Sequence, residues 1–232
     1  MHKYLLILTL SLVCQANELK IGLFELYPYV YRSQGSYHGV MIDFLNEVNH
    51  QTDLKFVYKV TPYPRLIESL KNDQVDIGIL YPNSMAGIDK QKLFPTLGNQ
   101  NYIISFKHKK LDLHLMPKTI GIIRGASYSN FVDDYPKKYK IPLKNYEIGI
   151  KMVKAKRLDY LMIPSTVLYS LCPMKVCGNS KLTFVEPVNE KKNWVHATKL
   201  AKPKILKKFR AAHDFVLKKQ GYQHLHDLLN RK

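Results

Sequence analysis

Two arginines stand where a carboxylate could be gripped. Arg65, in PYPRLIE, falls in the first turn of a short helix two residues after Tyr63, and Arg124 precedes the glycine of an IRGAS turn. A guanidinium takes a carboxylate through two parallel hydrogen bonds, and a neighbouring tyrosine offers a face on which a flat solute stacks. Tyr81 and Asn83, just beyond an apolar strand, add a phenol and an amide to the same set. The chain carries 16 tyrosines, several of them near these positions, a count that fits an aromatic or otherwise flat ligand. Hydrolytic and nucleotide-binding patterns are missing: there is no G-x-S-x-G, H-E-x-x-H, P-loop or G-x-G-x-x-G. The nine histidines show no metal-ligand spacing beyond HLH near the end, which a helix would splay apart, so no metal and no cofactor is expected. Cys172 and Cys177, in CPMKVC, are expected to form a disulfide, since zinc wants about four ligands and no second pair lies nearby in sequence. Two free buried thiols are the other reading.

These residues need elements to hold them. The opening MHKYLLILTLSLVCQA has a lysine, a short apolar run and a small residue before Asn17, which reads as a cleaved secretory signal over residues 1–16. A lipid-bearing Cys14 is the alternative, with Val13 standing where such signals want a small residue. Either reading places the mature protein in the periplasm, an oxidising compartment that suits the expected disulfide. The formal charge of +18 favours anionic partners. It concentrates between Lys191 and Lys219, where a helix from about Pro203 sets many of the lysines opposite Ile205, Leu206, Phe209, Val216 and Leu217. A solvated helix face accounts for that pattern, and a surface for an anionic polymer is the alternative.

LKIGLF, the helix VMIDFLNEVNHQT, LKFVYKV, the helix RLIESLKND and VDIGIL make a β-α-β-α-β run with a parallel sheet. The same grammar resumes from KTIGIIRGASYSNFVDDY to YEIGIKMVKAKRLDYLMI, so that Asp159 leads an apolar strand just as Asp76 does. Between these runs NYIISFKH and LTFVEPVNEKKNWVHAT are extended and apolar, and the chain closes in helices separated by Gly221. Two extended crossings predict a second lobe inserted into the first, with both crossings hinging around a cleft. The expected boundaries are 17–103 with 190–232 for lobe 1 and 104–189 for lobe 2. The final helices are expected to pack on lobe 1.

The ordered set KIGLFELYPYVY, HGVMIDFLNEV, LIESLKNDQVDIGIL, TIGIIRGASYSNF, VKAKRLDYLMIPSTV and ILKKFRAAHDFVLKKQGYQHLHDLL resembles the type II periplasmic solute-binding proteins of family 3, the amino-acid-binding class. The resemblance covers essentially the whole mature chain. It implies an α/β, two-lobed fold with a mostly parallel sheet flanked by helices in each lobe and two hinge strands. It also implies a non-enzymatic monomer that closes on a small solute and hands it to an ABC-transporter permease or a membrane sensor. Ser127 matches the position that helps hold the ligand's carboxylate, with a helix cap as its structural alternative, and Tyr27 matches the aromatic that walls the cleft. Other positions depart from the pattern. Ile88 stands in place of the carboxylate-clamping arginine, and Pro164 and Ser165 in place of the acidic residue that takes the ammonium. Phe24 stands in place of a frequent acidic residue, with Glu25 displaced by one. An ionised group buried without a partner costs several kcal/mol, so the expected ligand is a polar or anionic flat solute rather than a standard amino acid, with Arg65 as the anchor. A dehydratase-like enzyme with Glu25 as its acid is the catalytic alternative on this fold.

Overall fold

The computed structural model describes residues 17–82, 87–88, 91–111, 118–221 and 227. The signal at 1–16, Asn83 and the HLH segment lie outside the described residues.

The elements run β1 (Glu18–Phe24), β2 (Tyr31–Ser33), β3 (Ser36–His38), α1 (Val40–Asn49), β4 (Lys55–Thr61), α2 (Tyr63–Lys71), β5 (Ile77–Leu80) and β6 (Lys92–Ser105). They continue through β7 (Ile120–Ile123), α3 (Asn130–Asp133), β8 (Lys140–Leu143), α4 (Tyr146–Lys154), β9 (Tyr160–Pro164) and α5 (Ser165–Leu171). The chain then forms β10 (Val176–Cys177), β11 (Ser180–Lys181), β12 (Phe184–Ala197) and α6 (Pro203–Gln220).

One sheet of eight strands joins the two halves, in the order β4-β1-β5-β12-β6-β9-β7-β8. Each end is parallel: β1 pairs with β4 and β5, and β7 with β8 and β9. Parallel strands are covered on both faces and read as continuous apolar runs, as IGIL of β5 and YLMIP of β9 do, with every residue buried. The centre is antiparallel. There β6 and β12, each 14 residues long, pair along their length, with register shifts between Pro187 and Asn189, between Lys192 and Trp194 and between Val195 and His196. These are the two extended crossings of the sequence, and they pair with each other as well as linking the two ends of the sheet.

The echo between Asp76 and Asp159 has a direct cause. The Asp76 carboxylate accepts from the Lys20 amide at 2.7 Å, at the start of β1. The Asp159 carboxylate accepts from the Thr119 amide at 2.9 Å and its hydroxyl at 3.0 Å, just before β7. Each aspartate therefore ties the entry of its strand to the neighbouring strand of the same half, leaving the carboxyl ends, at Leu80 and Pro164, to face the space between halves.

Helix α6 lies against the first half. Phe209, fully buried, meets Phe56 and Phe94 at 5.7 and 6.3 Å between ring centroids, and His213 meets Phe44 of α1 at 5.5 Å. The expected apolar stripe is the buried one, with Ile205, Phe209 and Val216 in the core and Leu206 and Leu217 packed at its edge. His213 is buried as well: its Nδ1 donates to Asp214 Oδ1 and its Nε2 meets Thr96 Oγ1, both at 2.8 Å, and burial holds its pKa below the usual histidine value. Cys172 and Cys177 are joined by a disulfide.

Candidate functional site

A cavity of about 540 Å³ opens between the two halves. Its first wall is the end of β1 and the turn that leads into β2, contributing Phe24, Tyr27, Tyr29 and Tyr31, together with Tyr63 at the start of α2 and Tyr81 just after β5. Its second wall is built from Tyr128 ahead of α3, Tyr146 at the first position of α4, and Pro164 at the end of β9. Strand carboxyl ends and helix amino ends converge here from both sides, the usual location of a ligand crevice in an α/β sheet.

The aromatic rings pack against one another before any solute is considered. Phe24 lies 5.8 Å from Tyr29 and 5.6 Å from Tyr63, the latter edge-on, and Tyr27 lies 5.1 Å from Tyr31. The Tyr63 hydroxyl donates to the Tyr81 carbonyl at 3.3 Å. On the other wall the Tyr128 hydroxyl accepts from the Ile123 amide at 3.1 Å and shares a hydrogen bond of 2.8 Å with the Tyr146 hydroxyl. Burial pushes the Tyr128 phenol up to about 12, and pushes Tyr29, Tyr81 and Tyr146 upward too, so all four stay neutral across the physiological range. Tyr128→Phe strands the Ile123 amide and the Tyr146 hydroxyl, and should cost about 2 kcal/mol in denaturant unfolding. A loss below about 0.5 kcal/mol would show that this bond is not what holds the second wall.

Among the described residues, the charged side chains that line the cavity stand at its rim. Glu25 stands on the first half, and Arg124, Lys144 and Glu147 on the second; all four line the cavity and are exposed. Among the described residues no group of three His, Cys, Asp or Glu side chains is placed to hold a metal ion.

The expected site residues divide. Phe24, Tyr27, Tyr63, Tyr81 and Arg124 all line the cavity. Arg65 does not: it is exposed on α2, because two residues advance a helix by about 200° and Tyr63 already takes the inward face. Ser127 does not line it either. Its hydroxyl donates to Asp133 at 2.7 Å and accepts from Lys191 at 3.0 Å. The capping serine of α3 is Ser129, whose oxygen accepts from the Val132 amide, so neither role expected of Ser127 is its role here. Ser165 is buried behind the cavity and donates to Asn99 Oδ1 at 3.1 Å. Ile88 is fully buried in an apolar cluster with Phe24, Tyr63 and Leu66, so the place of the family's arginine is core. Sequence reasoning missed Tyr29, Tyr128, Tyr146, Lys144 and Glu147. The available signal for the last three was Asn145, whose side chain accepts from the Ile148 amide at 2.9 Å and so marks a helix start at the end of a parallel strand.

Comparison with known proteins adds to this geometry. Residues 19–83 match the family described as bacterial extracellular solute-binding proteins, family 3. The chain is similar to the arginine-binding periplasmic protein of Mannheimia haemolytica, at 26% identity over 239 residues covering 98% of each chain. Among solved structures it is similar to the GluR0 ligand-binding core of Nostoc punctiforme in complex with L-glutamate. The TM-score there is 0.70 at 16% identity, over 92% of this chain and 98% of the other. It is also similar to a Salmonella typhimurium periplasmic binding protein described as highly specific for arginine, with a TM-score of 0.72 at 16% identity, over 93% of this chain and 99% of the other. The fold is that of the type II periplasmic binding proteins.

Proposed function

From a chain with the type II periplasmic-binding fold and a family 3 match over its first lobe, we propose a periplasmic protein that closes on a small polar solute and delivers it to a membrane transporter or sensor. The observation that carries this reading is the cavity itself. It lies between the halves, is walled by aromatic rings, and is rimmed by charges of both signs. The boundaries proposed for the lobes are those of the sequence, 17–103 with 190–232 and 104–189, since β6 and β12 cross from one end of the sheet to the other within them. The named relatives are binding proteins, which supports a non-enzymatic role.

The mixed rim changes the expected ligand. An arginine anchor without a carboxylate partner favoured an anionic flat solute, but Arg65 is turned outward and the rim pairs Arg124 and Lys144 with Glu25 and Glu147. That set complements a zwitterion, its carboxylate toward Arg124 and Lys144 and its ammonium toward the two glutamates. Relatives named for arginine or solved with glutamate bring standard amino acids into the candidate class. A thermal-shift screen of the twenty amino acids and a set of small aromatic carboxylates tests the reading. An amino acid is expected to stabilise the protein, and Arg124→Ala to weaken it about tenfold, a loss of about 1.4 kcal/mol. Stabilisation by carboxylates alone would return the ligand to the anionic flat class. If neither set stabilises the fold, the solute-binding reading fails.

A further inference from the structure

Among the described residues Met174 is the most exposed large apolar side chain, at 92%, against 52% for the next, Leu200. It stands on a loop beyond α5 that the Cys172–Cys177 disulfide closes. Met174 and Lys175 both take left-handed backbone, at φ +52° and +64°, a conformation that side chains disfavour. It holds here because the loop is tied at several points. Besides the disulfide, the Lys175 amide donates to the Cys172 carbonyl at 3.1 Å, and the Lys175 carbonyl accepts from the Leu182 amide at 3.0 Å. Met174 is therefore held outward, and Val176 beside it is exposed as well.

Cations surround this apex. Lys175 is its neighbour in the chain, and Lys181 stands opposite Val176 across the β10–β11 pair. The Lys154 ammonium donates to the Cys177 carbonyl at 2.8 Å, with Lys151 one turn earlier on α4. Lys151, Lys175 and Lys181 are exposed, and among the described residues none of the three makes an ion pair. From Ile148 to Val185 the chain has six lysines and arginines and a single acid, Asp159, which is committed to His108, Lys107 and Thr119.

We propose that this loop docks the protein on an anionic phospholipid surface, Met174 and Val176 entering between the headgroups while the surrounding lysines meet the phosphates. The docking does not depend on which solute the cavity takes. The loop follows directly on Leu171, a cavity-lining residue, so docking would hold the second wall beside the membrane. A protein partner would need about 800 Å² on each side around an apolar core, whereas the apolar contact here is Pro173, Met174 and Val176. A membrane demands no such shape match: the apex enters the headgroup layer, and lysine stems lie along the interface with their ammonium groups at the phosphates. Either signal alone binds weakly, and together they give reversible attachment. The attraction reaches only a Debye length, about 8 Å at physiological salt, so the lysines around the apex count and those of α6, on the first half, do not.

Co-sedimentation of the mature chain with phospholipid vesicles tests this, using phosphatidylcholine alone and phosphatidylcholine mixed with phosphatidylglycerol. The mixed vesicles should bind about tenfold tighter or more. Met174→Ser should weaken that binding about fivefold, and Lys175→Glu with Lys181→Glu about tenfold or more. Lys204→Glu with Lys207→Glu, the same charge change made on α6, should leave it within about threefold. All of these side chains are exposed, so the melting temperatures of the variants should match that of the wild type. Equal binding to the two kinds of vesicle, or none to either, overturns the proposal. So does an equal loss in the two double variants, which would assign the attraction to the overall charge. Binding unmoved by Met174→Ser would overturn the insertion of the apex.

Discussion

Gly39→Ala should destabilise the protein by about 3 kcal/mol or more and weaken solute binding with it. Gly39 sits just ahead of α1 at φ +122°, a conformation that side chains rarely adopt. A Cβ there would lie 2.3 Å from the Tyr29 carbonyl oxygen and 2.6 Å from that of Pro28. Both obstacles are backbone, so no rotamer change relieves them. The same carbonyls accept the Val40 and Met41 amides at 3.1 Å, so a shift that made room would also break the first turn of α1 from the wall. Tyr29 would move with its carbonyl, and the cavity wall would be reshaped. Gly35→Ala is the control, because Gly35 also has positive φ, at +82°, but a Cβ there meets nothing within 4 Å. Urea unfolding should rank Gly39→Ala well below Gly35→Ala. Equal losses would assign the whole effect to backbone strain.

Asp159→Ala should cost about 3 kcal/mol, the second large effect. Its carboxylate accepts from His108 at 2.9 Å, from the Thr119 amide and hydroxyl at 2.9 and 3.0 Å, and from Lys107 at 3.4 Å. Truncation leaves the Thr119 amide and the His108 ring facing an empty place. Although burial raises its pKa, hydrogen bonds from His108 and Thr119 outweigh that and hold Asp159 well below the usual carboxylate value. A carboxylate depressed in the folded state contributes stability above its unfolded value of about 4, and that contribution is lost as pH falls from there toward the folded value. The wild type should therefore lose stability in acid more steeply than Asp159→Asn. Matching acid profiles for the two would locate the acid sensitivity elsewhere. Asp76→Ala, which removes one hydrogen bond from the Lys20 amide, should cost less.

The sequence carried the fold well because the fold is periodic. Apolar runs with an aspartate at their head, a helix after each, and two long β-branched crossings define a two-lobed α/β chain before any coordinate is seen. What local pattern could not show was that the two crossings pair with each other, since partners such as Phe184 and Ser105 lie far apart in the chain. The cavity lining was legible where it follows strands: Phe24 and Tyr81 sit at or just past carboxyl ends, and Tyr27 lies in the turn after β1. It was misread where helical phase decides. Tyr63 and Arg65 cannot share a face two residues apart, and an alternation of serines at 127 and 129 placed the cap two residues too early. Tyr128 and Tyr146 were hidden because a tyrosine at a helix start looks the same whether it faces the core or a cleft.

The return of β12 and α6 to the first half also sets an order of events during synthesis. Strand β5, residues 77–80, has β1 on one side and on the other β12 through residues 194–197. Phe56 and Phe94 wait for Phe209. The first half is therefore the earliest to be made and among the last to be finished, its strand β5 exposed along one margin until nearly the whole polypeptide has emerged. The second half, from Ile120 to Pro164, pairs its parallel strands within a short span and has no such wait. A nascent chain of this topology stays open at its amino end for most of its elongation.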